Sequence, residues 1–270
     1  MIGNRIGLCR SFVTIGLLSA CVTMAGTAFA APAKKQETLT HRLNIAEQQK
    51  MLGERLTRTW AMKALGTLRA RATNQFDEDS RRYSRQLKFL QTEADTPELK
   101  ENYALLEQLW GKYIELTEAG ASQENVKAIA DQNEELVWIA EKGANMLRQR
   151  IGAEQSEGLR VAGQARALSQ RMAKLYFFRS LGATAPFIAS DMKKAESDYL
   201  VSIKRLRELS EDRPKSASVI ALVDQQWMFF SEVIRRPASR EDRDQVYQTL
   251  AKSSDSLLSA LEDLSQSFEQ

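Results

Sequence analysis

Two stretches of this chain put the same polar side chains at the same spacing. Gln48 and Arg55 lie seven residues apart, and so do Gln164 and Arg171. On a helix that spacing sets both side chains on one stripe, beside the apolar face. A guanidinium can grip a small oxyanion through two parallel hydrogen bonds, and a neighbouring amide can satisfy the remaining oxygen. Lys50 and Arg166 occupy the other flank, roughly 125° from the core direction at about 100° per residue. They are expected to point outward, towards solvent or a partner subunit. The six candidate ligand-binding residues are therefore Arg166, Arg171, Gln164, Lys50, Arg55 and Gln48. The competing reading of each arginine is a helix-flank side chain that lies along the core edge and pairs with a carboxylate.

Other chemistry is absent from the sequence. One histidine, His41, rules out a multi-histidine metal site within one chain. There is no Gly-x-Ser-x-Gly elbow and no phosphate-binding glycine loop, and both cysteines, Cys9 and Cys21, fall near the N-terminus. The expectation is a non-enzyme without cofactor or metal. The acidic run Asp77, Glu78, Asp79 reads as a helix start, where carboxylates complement the macrodipole.

The elements that must position the six residues are helical. Five prolines and thirteen glycines in 270 residues leave long uninterrupted stretches rich in Ala, Leu, Gln, Glu, Lys and Arg. With 43% hydrophobic and 27% charged residues, the composition is that of a globular protein. At an offset of 116 residues, Leu43, Ala46, Gln48, Leu52, Arg55, Leu65 and Gly66 recur as Leu159, Ala162, Gln164, Leu168, Arg171, Leu181 and Gly182. Tyr83 recurs as Tyr199, and Trp110 as Trp227 after a shift of one, and the two tryptophans are assigned to packing. This self-similarity reads as a duplication.

Each copy reads as four helices. Ile45, Leu52, Leu56 and Trp60 form an apolar stripe in the first helix, and Val161, Leu168, Met172 and Tyr176 repeat it. Second helices are expected from about Glu78 to Gln91 and from Phe187 to Leu209. Third helices open at Thr96-Pro97 and near Pro214, where a proline in the first turn loses no hydrogen bond. Fourth helices open at Ser122 and Ser239, the latter resembling a capping box with Asp242. The expected fold is all-α, as two tandem antiparallel four-helix bundle modules, residues 31–152 and 153–270. No proline separates them, so the fourth helix is expected to run nearly straight into the second module, stacking the bundles end to end. A single long bundle is the alternative.

Residues 1–30 read as a signal peptide: Arg5 and Arg10, an apolar stretch from Phe12, and Ala28-Phe29-Ala30 as a small-x-small cleavage site. The mature chain is then periplasmic and soluble. Leu18-Ser19-Ala20-Cys21 also has the form of a lipobox, which would anchor the chain by a lipid on Cys21, and an uncleaved membrane anchor is the third reading. Without Arg5 and Arg10 the charge is 36 basic against 35 acidic residues, no basis for nucleic-acid binding.

The run from Leu159 to Lys174 resembles the opening helix, N-x-A-G-x-x-R-x-x-S-x-R, of a family of extracytoplasmic sensor domains. These are the N-terminal domains of type IV pilus chemotaxis transducers (PilJ-type) and nitrate sensor kinases (NarX-type). The resemblance implies a helical bundle and a small anionic ligand such as nitrate, gripped by an arginine across a homodimer interface. By position that arginine falls on Arg166, with Lys50 in the first copy. Glu47 stands where the family has glycine and Gly53 where it has serine, and a carboxylate at Glu47 disfavours an anion beside Lys50. The family relays its signal through a second membrane helix, and no second apolar segment of that length follows the leader, so a membrane-bound receptor or transporter is the implied partner. The alternative function is an envelope interaction or scaffold protein without a small ligand.

Overall fold

A computed structural model describes residues 30–120, 122–182 and 187–269, with side chains from residue 38 onward. The described residues form eight α-helices and no strand: α1 (Ala30–Ala64), α2 (Arg69–Thr92), α3 (Pro97–Glu118), α4 (Gln123–Ile151), α5 (Ala153–Ser180), α6 (Phe187–Leu209), α7 (Pro214–Arg235) and α8 (Arg243–Glu269). The expected leader, apart from Ala30, and the lipobox cysteine Cys21 lie outside the described residues.

Local sequence accounts for most of the boundaries. Thr96 caps α3 by accepting from the Leu99 amide, with Pro97 at the first helical position. Ser122 caps α4 in the same way through Asn125. Before α8, Ser239 and Asp242 exchange hydrogen bonds: the Ser239 amide donates to Asp242 Oδ1 and the Asp242 amide to Ser239 Oγ. The start of α2 departs from expectation. The helix begins at Arg69, after Leu68 in a left-handed conformation, so Asp77, Glu78 and Asp79 sit in its interior. Asp79 is buried there and paired with Arg55. Asp79 thus serves ion pairing across helices, and Asp77 and Glu78 are exposed on the helix interior rather than at its start.

Sequential helices run antiparallel, as their short connections require. Within the first half α1 packs on α2 and α4, and α3 on α4; within the second, α5 packs on α6 and α8, and α7 on α8. Tyr83 stacks on Trp110 with ring centroids 4.2 Å apart, and Tyr199 stacks on Trp227 at 4.4 Å. Both tryptophans are packing residues, as expected.

The passage from α4 to α5 corrects the end-to-end arrangement. Gly152 is the one residue between the two helices, and it adopts φ 101° and ψ 152°, a backbone region open essentially to glycine alone. The chain reverses there, so that Arg171 and Lys174 of α5 meet Glu134 of α4. The α5 helix thus lies beside α1 along its length. Glu47 covers Gly163, Glu54 meets Arg171 and Lys174, and Trp60 meets Phe178. The numbers rise together, so the two helices are parallel. This central pair is flanked by α2, α4, α6 and α8, and most of its side chains are buried on every side.

Candidate functional site

Burial all round forces the polar residues of α1 and α5 to find partners inside the protein, because an unpaired buried charge is costly. Glu47 is fully buried. It accepts from Arg148 at 2.5 Å, and Lys50 lies 2.5 Å from its other oxygen. Lys50 and Arg148 also both engage Glu141 of α4. One and two turns along, Glu54 pairs with Lys174 at 2.6 Å and with Arg171 at 3.0 Å. Arg171 reaches on to Glu134 at 2.8 Å and to Asp191 of α6 at 3.6 Å. Burial disfavours the Arg171 charge, but attraction to Glu54 and Glu134 outweighs it and raises its pKa.

The six candidate residues are divided between the two sides of the central helix pair. Lys50, Gln164 and Arg171 face the side covered by α4. Gln48, Arg55 and Arg166 meet the side covered by α2 and α8. There Arg55 pairs with Asp79 at 3.2 Å and lies 3.8 Å from Asp255 of α8. Gln48 Oε1 accepts from Arg82 and from Gln86, both at 2.6 Å.

Lys50 and Arg166 do not point outward. Lys50 is 6% exposed and Arg166 1%, because the flank assigned to solvent is where α1 and α5 meet each other and α4 and α8. Arg166 donates to Asn44 Oδ1 at 3.0 Å, and its Nε has no partner among the described residues. Burial lowers its pKa to about 10, against the pull of Glu47 and Glu262. Arg166 thus lies inside one chain and not on its surface.

A cleft of about 340 Å³ opens between α1, α4 and α5. Its floor is apolar, with Val137, Ala167 and Leu168, and its ends are set by Lys50 and Arg171. Gln164 lines it as well, accepting from Arg160 at 3.3 Å. Trp138 stands at its edge, 66% exposed. The corresponding region on the opposite side of the central pair is bridged. There Arg55 and Arg58 meet Asp255 of α8 as Arg171 and Lys174 meet Glu134 of α4, so α8 follows α4 at an offset of 121 residues, while α5 follows α1 at 116. Arg82 of α2 donates to Gln48 and also pairs with Glu262 of α8 at 3.2 Å. At the position of Arg82 plus 116 the chain has Asp198, which pairs with Lys194 of its own helix. No arginine then joins Gln164 to Glu141, and the cleft stays open.

Sequence reasoning noted Glu47 only as disfavouring an anion beside Lys50, and it missed Glu54, Glu134, Glu141 and Trp138. Glu47 and Glu54 stand seven residues apart on the first helix, a spacing that could have flagged a stripe of carboxylates opposite the cations. The α4 residues carry no signal of their own, because their role depends on where α5 folds back. Among the described residues no group of three or more His, Cys, Asp or Glu is placed to hold a metal ion. No described helix is long and apolar enough to cross a membrane. Comparison with protein-family models, curated proteins and solved structures gives no match.

Proposed function

We propose that this chain is a stand-alone, sensor-type helical module that binds a small ligand in the cleft between α1, α4 and α5. In this reading it works in the periplasm, after removal of its leader, with a membrane-bound receptor or transporter. One observation carries the proposal: of two regions that correspond on either side of the central helix pair, one is bridged by Arg82 and the other is an open cleft with an exposed tryptophan. A groove kept open beside residues otherwise fully paired is the ordinary setting of a small-ligand site, and about 340 Å³ lies at the lower end of such sites.

Two further features support the sensor-domain resemblance and the reading as tandem four-helix modules. The Tyr83–Trp110 and Tyr199–Trp227 stacks occupy corresponding places in the two halves. The parallel α1 and α5 stand to each other as the opening helices of two protomers would in a homodimer, so a duplicated chain can supply both sides of that interface itself. An oxyanion such as nitrate is the ligand the resemblance implies, and Arg171, the most accessible of the cleft cations, is the residue to receive it. To bind there it must compete with Glu54 and Glu134.

Thermal melting of the purified protein against a panel of small anions, cations and zwitterions tests the proposal. A dose-dependent rise for any of them, absent in Ala167→Trp, is expected, since a ligand selective for the folded state must stabilise it. No rise across the panel would remove the ligand-binding reading. The envelope-interaction reading would then stand on the exposed Leu222 and Phe229, seven residues apart on α7, with Met228 beside them.

A further inference from the structure

We infer that the cleft takes a small organic cation, with its apolar part on Trp138 and its charge between Glu134 and Glu141; this rests on the ligand-binding reading just given. An incoming molecule meets the exposed charges of the cleft first. Around the cleft, Lys50, Arg148 and Lys174 are 7%, 10% and 2% exposed, sealed beneath the helix surfaces. The side chains of Glu134 and Glu141 are 51% and 43% exposed. Four carboxylates, Glu47, Glu54, Glu134 and Glu141, match four cations, Lys50, Arg148, Arg171 and Lys174, so the cluster as a whole is neutral. Its two most exposed members are carboxylates, and Arg171, at 22%, is the one cation of the four that reaches the surface, so the side shown to solvent is the more acidic one.

Helix geometry adds the aromatic surface. Glu134, Trp138 and Glu141 are spaced four and three residues apart on α4, which sets all three on one face of that helix. An exposed indole with a carboxylate one turn to either side is the arrangement that attracts an alkylammonium group, through its π face and through charge. Val137, Ala167 and Leu168 offer apolar contact for a few carbons, and the volume limits the guest to a small molecule. An anion entering the same cleft would meet the two carboxylates first. With α8 matched to α4 through the Asp255 and Glu134 ion pairs, a shift of 121 residues, Leu258 and Ser259 stand where α4 has Val137 and Trp138, so the matching region lacks the aromatic surface.

The test uses the full mature protein with choline as probe, its uncharged isostere 3,3-dimethylbutan-1-ol, and sodium nitrate, all at constant ionic strength. Tryptophan fluorescence and melting temperature are read together. Choline is expected to give a saturable fluorescence change and a rise in Tm, with no response to the isostere. Trp138→Leu, a change at an exposed position, should weaken choline binding about two- to fivefold, the worth of an exposed cation–π contact. Ala167→Trp should abolish it. If nitrate binds and choline does not, the cation inference falls while the ligand-binding reading survives. Equal responses to choline and its isostere, or unchanged choline affinity in Trp138→Leu, would also overturn it. If no probe binds here and the wider panel is silent too, both readings fall together.

Discussion

Arg58, Arg166 and Lys174 are almost completely buried, and each is met differently. Arg58 donates to Ser254 at 2.8 Å and pairs with Asp255 at 2.9 Å, whereas Lys174 has Glu54 and Asn133 and Arg166 has Asn44. Such pairs add little net stability over apolar residues of the same volume, but breaking one of them is costly. Asp79 shows the balance from the acid side. Burial is the strongest influence on it and raises its pKa to about 6, against the attraction of Arg55, Arg58 and Arg82. The folded chain therefore holds a proton that the unfolded chain has already lost. The stability this group contributes is fully present below the ordinary aspartate value of 3.8 and is lost as pH rises through about 6. Glu134 acts in the opposite sense. Burial resists its charge, but Lys174 and Arg171 prevail and hold its pKa down to about 2, so its contribution is lost as pH falls from 4.5 through that value. Asp79→Asn, close in shape to the protonated acid, should leave Tm nearly unchanged at about pH 4. At about pH 8 it should raise stability, by at most about 3 kcal/mol for a two-unit shift. Thermal melts at the two pH values check this, and a variant less stable at the higher pH would show that the Arg55 ion pair outweighs burial.

The reversal at Gly152 decides which helices become neighbours. Its backbone angles exclude a side chain, and an added Cβ would also lie 2.8 Å from Gln155 Oε1. Gly152→Ala is expected to cost about 1–3 kcal/mol of stability, measured by chemical denaturation. A neutral outcome would mean that the α4–α5 hairpin does not depend on that conformation. Gly163 plays a different part inside α5: it lets α1 come close, and a Cβ there would fall 2.7 Å from that of Glu47. The apolar spacings made most elements legible in advance. The cap and proline signals at Thr96-Pro97, Ser122, Pro214 and Ser239 located helix starts to within a few residues, because capping hydrogen bonds and the missing amide of proline act locally. The start of α2 was not legible. Leu68 takes a left-handed conformation with no glycine or capping side chain to announce it, and Asp77 to Asp79 resembled a start.

At the scale of the whole molecule, the parallel contact of α1 with α5 joins the two halves. Each half expressed alone would expose that contact, including Leu43, Met51, Leu159 and Ala162, together with charges whose partners lie on the other half. Residues 31–152 and 153–270, produced as separate chains, are therefore expected to associate and co-purify through a tag on either one. Halves that fold separately and do not bind each other would show that the contact contributes little. The sequence by itself determined the helical class, the approximate bounds of most helices apart from the start of α2, the correspondence of Gln48 and Arg55 with Gln164 and Arg171, and the packing role of Trp110 and Trp227. These rest on periodicity and local hydrogen bonding, which act over a few residues. Only the tertiary structure decided that α5 folds back beside α1, that Lys50 and Arg166 are buried, and that the open cleft is lined by Trp138 and carboxylates of α4. The direction of a helix flank depends on what packs against it, and that was set by the conformation of a single glycine, Gly152, at the end of α4.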